Sequence, residues 1–402
     1  MRAIFTPSTP SGSVAAPPSK SMAHRHLICA GLAGGTGTVT GIAPSEDILA
    51  TLDCLSALGA KIRLTDGGAT VCGADPRRAK SATLPCRESG STLRFFLPLC
   101  LLSGKEFTLT GSETLLARPL SVYENLAREK GFLFAKRENA VTVKGKLTPG
   151  EYVVPGNVSS QFVSGLLFAL PLLDGDSTIK LIPPIESRSY LDLTVQALAE
   201  YGVTVVWTDE TTLLVPGGQR YLSHEATVEG DWSNAAAFLS LGVPVTGLLA
   251  DSLQGDRRVT EYLAALDREK AEIDLSDCPD LAPVLFAHAA LHFGGRFTGT
   301  RRLAVKESDR GEAMRAELFK CGVPVSIGEN EIAVGCGAKA PSDPFSGHND
   351  HRIVMACSVI AAKLGGTVEG IEAVNKSYPD FFTELRKINI KVDTENGMDI
   401  EK

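Results

Sequence analysis

Six short polar clusters each stand directly before an apolar run. They are Ser19-Lys20-Ser21 with Arg25, Ser89-Gly90-Ser91 with Arg94, Asn157-Val158-Ser159-Ser160-Gln161, Asp231-Trp232-Ser233-Asn234, Pro279-Asp280 and Asn349-Asp350-His351-Arg352. Ser, Asn and Asp in such places cap helices, because a helix start leaves N–H groups without internal partners. Capping accounts for one residue per cluster. It does not account for Lys20, Arg25, Arg94, Gln161, His351 and Arg352. Those side chains read as shared recognition of anions at helix N-termini, which already carry about half a positive charge. Three more charged segments extend the set. Arg118 precedes Pro119, a residue suited to the first helical position. Lys306-Glu307-Ser308-Asp309-Arg310 lies between a strand and a helix and reads equally well as a solvated helix start. Lys376 precedes Ser377-Tyr378-Pro379-Asp380.

The elements that must position these residues form a repeat. Each cluster leads into an apolar helix, a Gly or Asp turn and an alternating strand, as in Phe95–Leu102 followed by Phe107-Thr108-Leu109-Thr110. The openings recur about every 70 residues, with one shorter interval of about 47 between Ser233 and Asp280. Periodicity of this kind marks a repeated supersecondary unit. Between openings lies a more amphipathic helix, a Gly turn and two strands; Val195–Tyr201 with Gly202-Val203-Thr204-Val205-Val206 is one example. Each unit therefore reads β-α-β-α-β-β, an α/β plan with mixed sheets. The first helix of each unit is apolar almost all round and should be buried on every side, leaving its end as the place for chemistry.

Composition closes off other classes. The chain has 402 residues, 40 Lys and Arg against 47 Asp and Glu, and a net charge of −7. Net acidity argues against nucleic-acid binding, which needs a basic footprint. No apolar stretch reaches the ~20 residues of a membrane span. Nine cysteines include no CxxC pair and fit reduced thiols of a cytoplasmic protein. Gly31-Leu32-Ala33-Gly34-Gly35-Thr36-Gly37 lacks the Lys-Ser/Thr ending of a phosphate-binding loop and precedes a strand, so it reads as a helix stop. His24 and His26 read as a helix face, and no metal ligand set is found.

The ordered motifs resemble the 5-enolpyruvylshikimate-3-phosphate synthase family, the 3-phosphoshikimate 1-carboxyvinyltransferases. The resemblance rests on Pro18-Ser19-Lys20-Ser21 with Arg25, Ser89-Gly90-Ser91-Thr92-Leu93-Arg94, Arg118-Pro119-Leu120, and Gly156-Asn157-Val158-Ser159-Ser160-Gln161-Phe162. It continues with Ser187 and Tyr190, Gly230-Asp231, Pro279-Asp280, Lys306-Glu307-Ser308-Asp309-Arg310, Asn349-Asp350-His351-Arg352 and Lys376 with Tyr378-Pro379-Asp380. It implies two lobes of three β-α-β-α-β-β units each, with buried parallel helices, an inside-out α/β barrel. One lobe would be residues 19–229, and the other residues 1–18 plus 230–402, with helix N-termini aimed at a cleft between them.

The reaction implied is transfer of the enolpyruvyl group of phosphoenolpyruvate to the 5-hydroxyl of shikimate 3-phosphate. The methylene carbon is protonated, the hydroxyl attacks C2, and a tetrahedral adduct expels phosphate. By this resemblance Ser21, Arg25, Ser159, Ser160, Ser187 and Tyr190 hold shikimate 3-phosphate, with Gln161 over its ring. Gly90, Ser91, Arg94, Arg118, Gln161, Arg310, His351, Arg352 and Lys376 hold phosphoenolpyruvate; guanidinium forks suit its carboxylate and phosphate. Lys20 and Lys306 touch both substrates. Asp280 takes the hydroxyl proton, touching shikimate 3-phosphate, and Glu307 delivers a proton to the methylene. The division of these steps among Glu307, Asp280 and Lys20 stays open, as does whether His351 supports phosphate or Glu307 or is a plain hydrogen-bonded histidine.

A cation pair with an anion at 4 Å gains about 4 kcal/mol at an effective dielectric of 20 and about 1 in water. Cations divided between lobes should therefore stay apart when empty and close on anionic substrates, a change small-angle scattering reads. Two positions depart from the family's common Asn. Glu88 places a carboxylate near phosphoenolpyruvate, and Arg302 adds charge near the shikimate phosphate; response to glyphosate does not follow from the residues. The related transferase acting on a UDP-amino sugar carries a Cys near the position of Arg118, and none occurs in this chain between Cys100 and Cys278. The expected protein is a cytoplasmic monomer without cofactor or metal, whose partners are the two metabolites, with no nucleic acid and no membrane.

Overall fold

Apolar runs bounded by polar caps become six helices buried on nearly all sides, and a computed structural model of the protein, describing residues 1–395, shows them. They are Lys20–Leu32, Gly90–Cys100, Ser160–Ala169, Trp232–Ser240, Ala282–Leu291 and His351–Leu364. Five of the six start on a side-chain cap: Ser19, Ser89, Ser159, Asp231 and Asp350 each accept a backbone N–H from the first turn. In the fifth repeat Asp280 lies in a 3-10 turn, Pro279–Leu281, ahead of the helix, and its carboxylate faces cations instead. More amphipathic helices alternate with these, Arg188–Glu200 and Arg310–Lys320 among them. Gly59, Gly202 and Gly322, just past three of the amphipathic helices, have φ of +109°, +75° and +74°, the left-handed backbone that ends a helix cleanly.

The chain divides into two compact units, Pro18–Glu229 and Met1–Pro17 with Gly230 onward, each with its own hydrophobic core. In Pro18–Glu229 there are three four-stranded sheets. The second repeat shows the plan: Ala82–Pro85 runs parallel to Glu106–Thr110, which pairs antiparallel with Ala140–Lys144, and that with Leu133–Lys136. Phe107 and Leu109 are buried while Glu106 is exposed, the period-two alternation of a half-covered strand. The first repeat takes its opening strand from the end of the unit, Glu225–Thr227, parallel to Thr36–Thr40.

Among its described residues, the unit beginning and ending the chain contains two four-stranded sheets and one short pair. In the sixth repeat Arg2–Thr6 inserts between Gly366–Glu369 and Lys391–Glu395, antiparallel to both. The fourth repeat keeps only Val14–Ala15 beside Val245–Thr246, in line with its short interval in the sequence. No helix among the described residues is long and apolar enough to cross a membrane. All nine cysteines are free, with Cys72 and Cys336 exposed.

Candidate active site

In the Pro18–Glu229 unit, the tip of the Gly90–Cys100 helix is bordered by two guanidinium groups. A Cβ on Gly90 would lie 2.8 Å from Arg118 Nη1 and 3.0 Å from Arg94 Nη1, so only glycine leaves both cations undisturbed over this helix start. Arg94 is positioned from several sides. Its Nη1 donates to Gln161 Oε1 at 2.7 Å, and its guanidinium lies 5.2 Å from the Phe162 ring centre. Gln161 Nε2 donates onward to Ser91 Oγ at 2.9 Å. The helix contains Pro98, which has no N–H for the carbonyl of Arg94; Tyr123 supplies the donor, Oη to O, at 2.6 Å. Gly165 makes room for that contact, since a Cβ there would collide with the Arg94 carbonyl oxygen.

Arg118 sits differently from the expectation. It caps the end of Glu113–Ala117 with extended backbone (φ −63°, ψ 147°), and the next helix begins at Ser121, so Pro119 is not a first helical residue. The residue before a proline is pushed out of the helical region, which ends the first helix there.

Lys20 Nζ donates to Asp47 Oδ2 at 2.9 Å. Arg25 is buried, and it ties two helices together: Nε to Thr194 Oγ1 at 2.9 Å, Nη1 to the Ser21 carbonyl and Nη2 to the Tyr190 carbonyl, both at 2.7 Å. Burial lowers its pKa to about 10, with opposing contributions from Tyr190 and Cys29. The residues expected on shikimate 3-phosphate thus include one, Arg25, whose three nitrogens all bond within the protein. Ser159 caps its helix by accepting from Gln161 N at 3.3 Å, and Ser160 is buried beside it. Ser187 is buried with φ +56°, ψ 40°, a left-handed conformation costing a non-glycine residue about 1–3 kcal/mol and typical of functional sites.

In the other unit, Arg310 is a hub. It gives Nε to Asp350 Oδ2 (2.8 Å), Nη1 to Asp280 Oδ1 (2.7 Å), and Nη2 to both Glu307 Oε2 (2.7 Å) and Asp350 Oδ1 (3.3 Å). Four of its five N–H groups therefore serve carboxylates, where the sequence had placed Arg310 on phosphoenolpyruvate. Lys306 Nζ also donates to Asp280 Oδ1, at 3.0 Å. Burial pushes the Asp280 carboxyl up, but Lys306, Arg310 and Arg352 together outweigh it and hold the group well below the usual carboxylate range. Burial pulls the Lys306 ammonium down, Arg310 and Arg302 add to this, and Asp280 and Glu307 oppose it; the net direction is down. Arg302 is itself buried, its Nη2 on the Ser276 carbonyl.

Arg352 Nη1 donates to Asn234 Oδ1 at 2.9 Å, and Asn234 Nδ2 to Ser377 Oγ at 3.2 Å. His351 is buried at the first position of its helix, Nδ1 3.9 Å from Asp350 Oδ1. Lys376 Nζ donates to the Asn349 carbonyl at 2.7 Å. That carbonyl belongs to a turn in which His348 and Asn349 both have positive φ, +48° and +52°. Partners for which the motifs gave no role are Asp47 on Lys20, Asp350 on Arg310 and Asn234 on Arg352, the last two standing within polar clusters already named. Asp47 follows the helix-start signal Ser45-Glu46, and Asp350 stands inside a polar cluster, but neither pairing has a local signature.

The family model for EPSP synthase (3-phosphoshikimate 1-carboxyvinyltransferase) matches residues 5–385. A 3-phosphoshikimate 1-carboxyvinyltransferase of Clostridium kluyveri is 38% identical over 416 residues, covering 97% of both chains. One from Clostridium novyi is 36% identical, covering 96% of this chain and 97% of its own. A solved structure of EPSP synthase from Acinetobacter baumannii superimposes with a TM-score of 0.79 at 24% identity, over 98% of this chain and 100% of that one.

Proposed function

The chain belongs to the EPSP synthase family, and from that premise we propose how its own residues divide the work. The reaction is transfer of the enolpyruvyl group of phosphoenolpyruvate to the 5-hydroxyl of shikimate 3-phosphate, with release of phosphate, a step toward chorismate and the aromatic amino acids. The observation that carries the assignment is the pair of guanidinium groups over Gly90, a cradle for a small dianion.

In this reading Arg94, Arg118, Ser91 and Gln161 take phosphoenolpyruvate together with Arg352, His351 and Lys376. Arg310 contributes chiefly by fixing Asp280 and Glu307, keeping at most one N–H for substrate. Lys20, Ser21, Ser159, Ser160, Ser187 and Tyr190 take shikimate 3-phosphate, with Arg25 holding the helix carrying Lys20 and Ser21 against the one carrying Tyr190. Asp280 accepts the hydroxyl proton. Its low pKa makes it a weak base at rest. Anionic substrates that draw Lys306 and Arg310 toward themselves loosen that hold and raise its basicity. Glu307 delivers the methylene proton, and Lys20 and Lys306 neutralise charge on both substrates.

The two compact units, Pro18–Glu229 and Met1–Pro17 with Gly230 onward, correspond in this reading to the two lobes of the family's fold. We place the protein in the cytoplasm, a reading supported by its free thiols, and take it to act as a monomer. Phosphate release tests the assignment. It is expected with phosphoenolpyruvate and shikimate 3-phosphate and not with UDP-N-acetylglucosamine; release only with the second acceptor overturns it. Lys20→Met and Glu307→Gln are expected to lose at least about a hundredfold in turnover. Full turnover in Lys20→Met removes Lys20 from charge neutralisation, and full turnover in Glu307→Gln removes Glu307 as the proton donor.

A further inference from the structure

Away from these cations, three helices of the unit that runs from Gly230 onward end close together. Trp232–Ser240 ends at Ser240, Val259–Leu266 is followed by Asp267, and Ala282–Leu291 by His292. Helix C-termini carry partial negative charge and favour a cation. The side chains there are of ligand type. His288 Nε2 lies 2.9 Å from Asp267 Oδ1, His292 Nδ1 lies 3.1 Å from the same oxygen, and all three donor atoms fall within 4.8 Å of one another.

We infer that Asp267, His288 and His292 form a binding site for one divalent transition-metal ion of the zinc class. Two imidazole nitrogens and one carboxylate oxygen suit such ions, which leave a fourth position to water. The supporting shell is present. His288 Nδ1 is bonded to the buried Ser240 Oγ at 3.0 Å, which fixes the ring so that Nε2 points at the site. Access is open, since Asp267 and His292 are 48% and 37% exposed. The two rings stack at 4.2 Å with 14° between planes, so occupancy requires the His292 ring to tilt and bring its lone pair to the ion while His288 stays in place. The site lies at the far end of the helix whose start follows Asp280, about 15 Å away for ten residues.

Calorimetric titration of Zn²⁺ into the chelator-stripped full chain, with Cys72 and Cys336 alkylated, is expected to show one ion per chain. His292→Ala and Asp267→Asn, at half-exposed positions that tolerate change, should weaken binding about 100-fold, and Ser240→Ala about tenfold. Co²⁺ in place of Zn²⁺ should give visible absorption bands that vanish in His292→Ala. Circular dichroism and the enolpyruvyl transfer rate of His292→Ala should match the unmodified chain. Zn²⁺ binding that is unchanged in both His292→Ala and Asp267→Asn overturns the inference, as does a wild-type chain that takes up no Zn²⁺.

Discussion

Arg310 Nε donates to Asp350 Oδ2 at 2.8 Å, and neither side chain exposes more than 1% of its surface. Asp350 also caps its helix by accepting from Arg352 N at 2.9 Å. One carboxylate thus sets the start of the helix bearing His351 and Arg352 and the orientation of the guanidinium that grips Asp280 and Glu307. Removing one partner of a buried pair leaves the other without compensation and costs about 3–5 kcal/mol. Asp350→Ala is therefore expected to lose about that much in equilibrium urea unfolding; a loss under about 1 kcal/mol would show that Asp280 and Glu307 suffice for Arg310.

Asp280 gives a prediction with a definite pH sign. Its carboxyl is depressed in the folded protein, so its contribution to stability is present above the unfolded pKa of about 4 and is lost as pH falls through the lower folded value. Asp280→Asn should be less stable than the parent at pH 7, and the gap should narrow below about pH 4 in acid unfolding followed by fluorescence. A gap that stays constant from pH 7 to pH 2 contradicts this.

Gly90→Ala tests the anion cradle. The new methyl meets only the ends of two flexible side chains, so the fold should hold to within about 1 kcal/mol, while Arg94 and Arg118 must shift. KM for phosphoenolpyruvate is expected to rise about tenfold with a smaller change in kcat, because a ground-state contact is disturbed. An unchanged KM measured by phosphate release would mean that substrate lies elsewhere.

His26 is buried on the Lys20–Leu32 helix and its pKa is lowered to about 4 by burial, with His224 and Arg25 adding to the effect. The unfolded chain takes up a proton near pH 6.5 that the folded chain refuses until about pH 4, so stability falls as pH drops through that window. The full effect is about 3 kcal/mol. Urea midpoints measured from pH 7 to pH 4 should decline, and His26→Asn should flatten the decline by about one proton. Equal slopes in both proteins would remove His26 as the cause.

The sequence alone made the repeat, the six buried helices and the polar residues at their starts legible. A cap acts within three residues and a buried helix declares itself by being apolar all round, so both signals are local. It also supplied the roster of cations. Tertiary structure decided what each cation faces: Lys20 meets Asp47, Arg25 meets Thr194, and Arg310 meets three carboxylates. It decided too that Arg2–Thr6 completes the last sheet and Glu225–Thr227 the first. An arginine beside a helix start has the same sequence signature whether its N–H groups await a substrate or hold a carboxylate. Coulomb energy depends on distance through space, and chain separation does not record that distance.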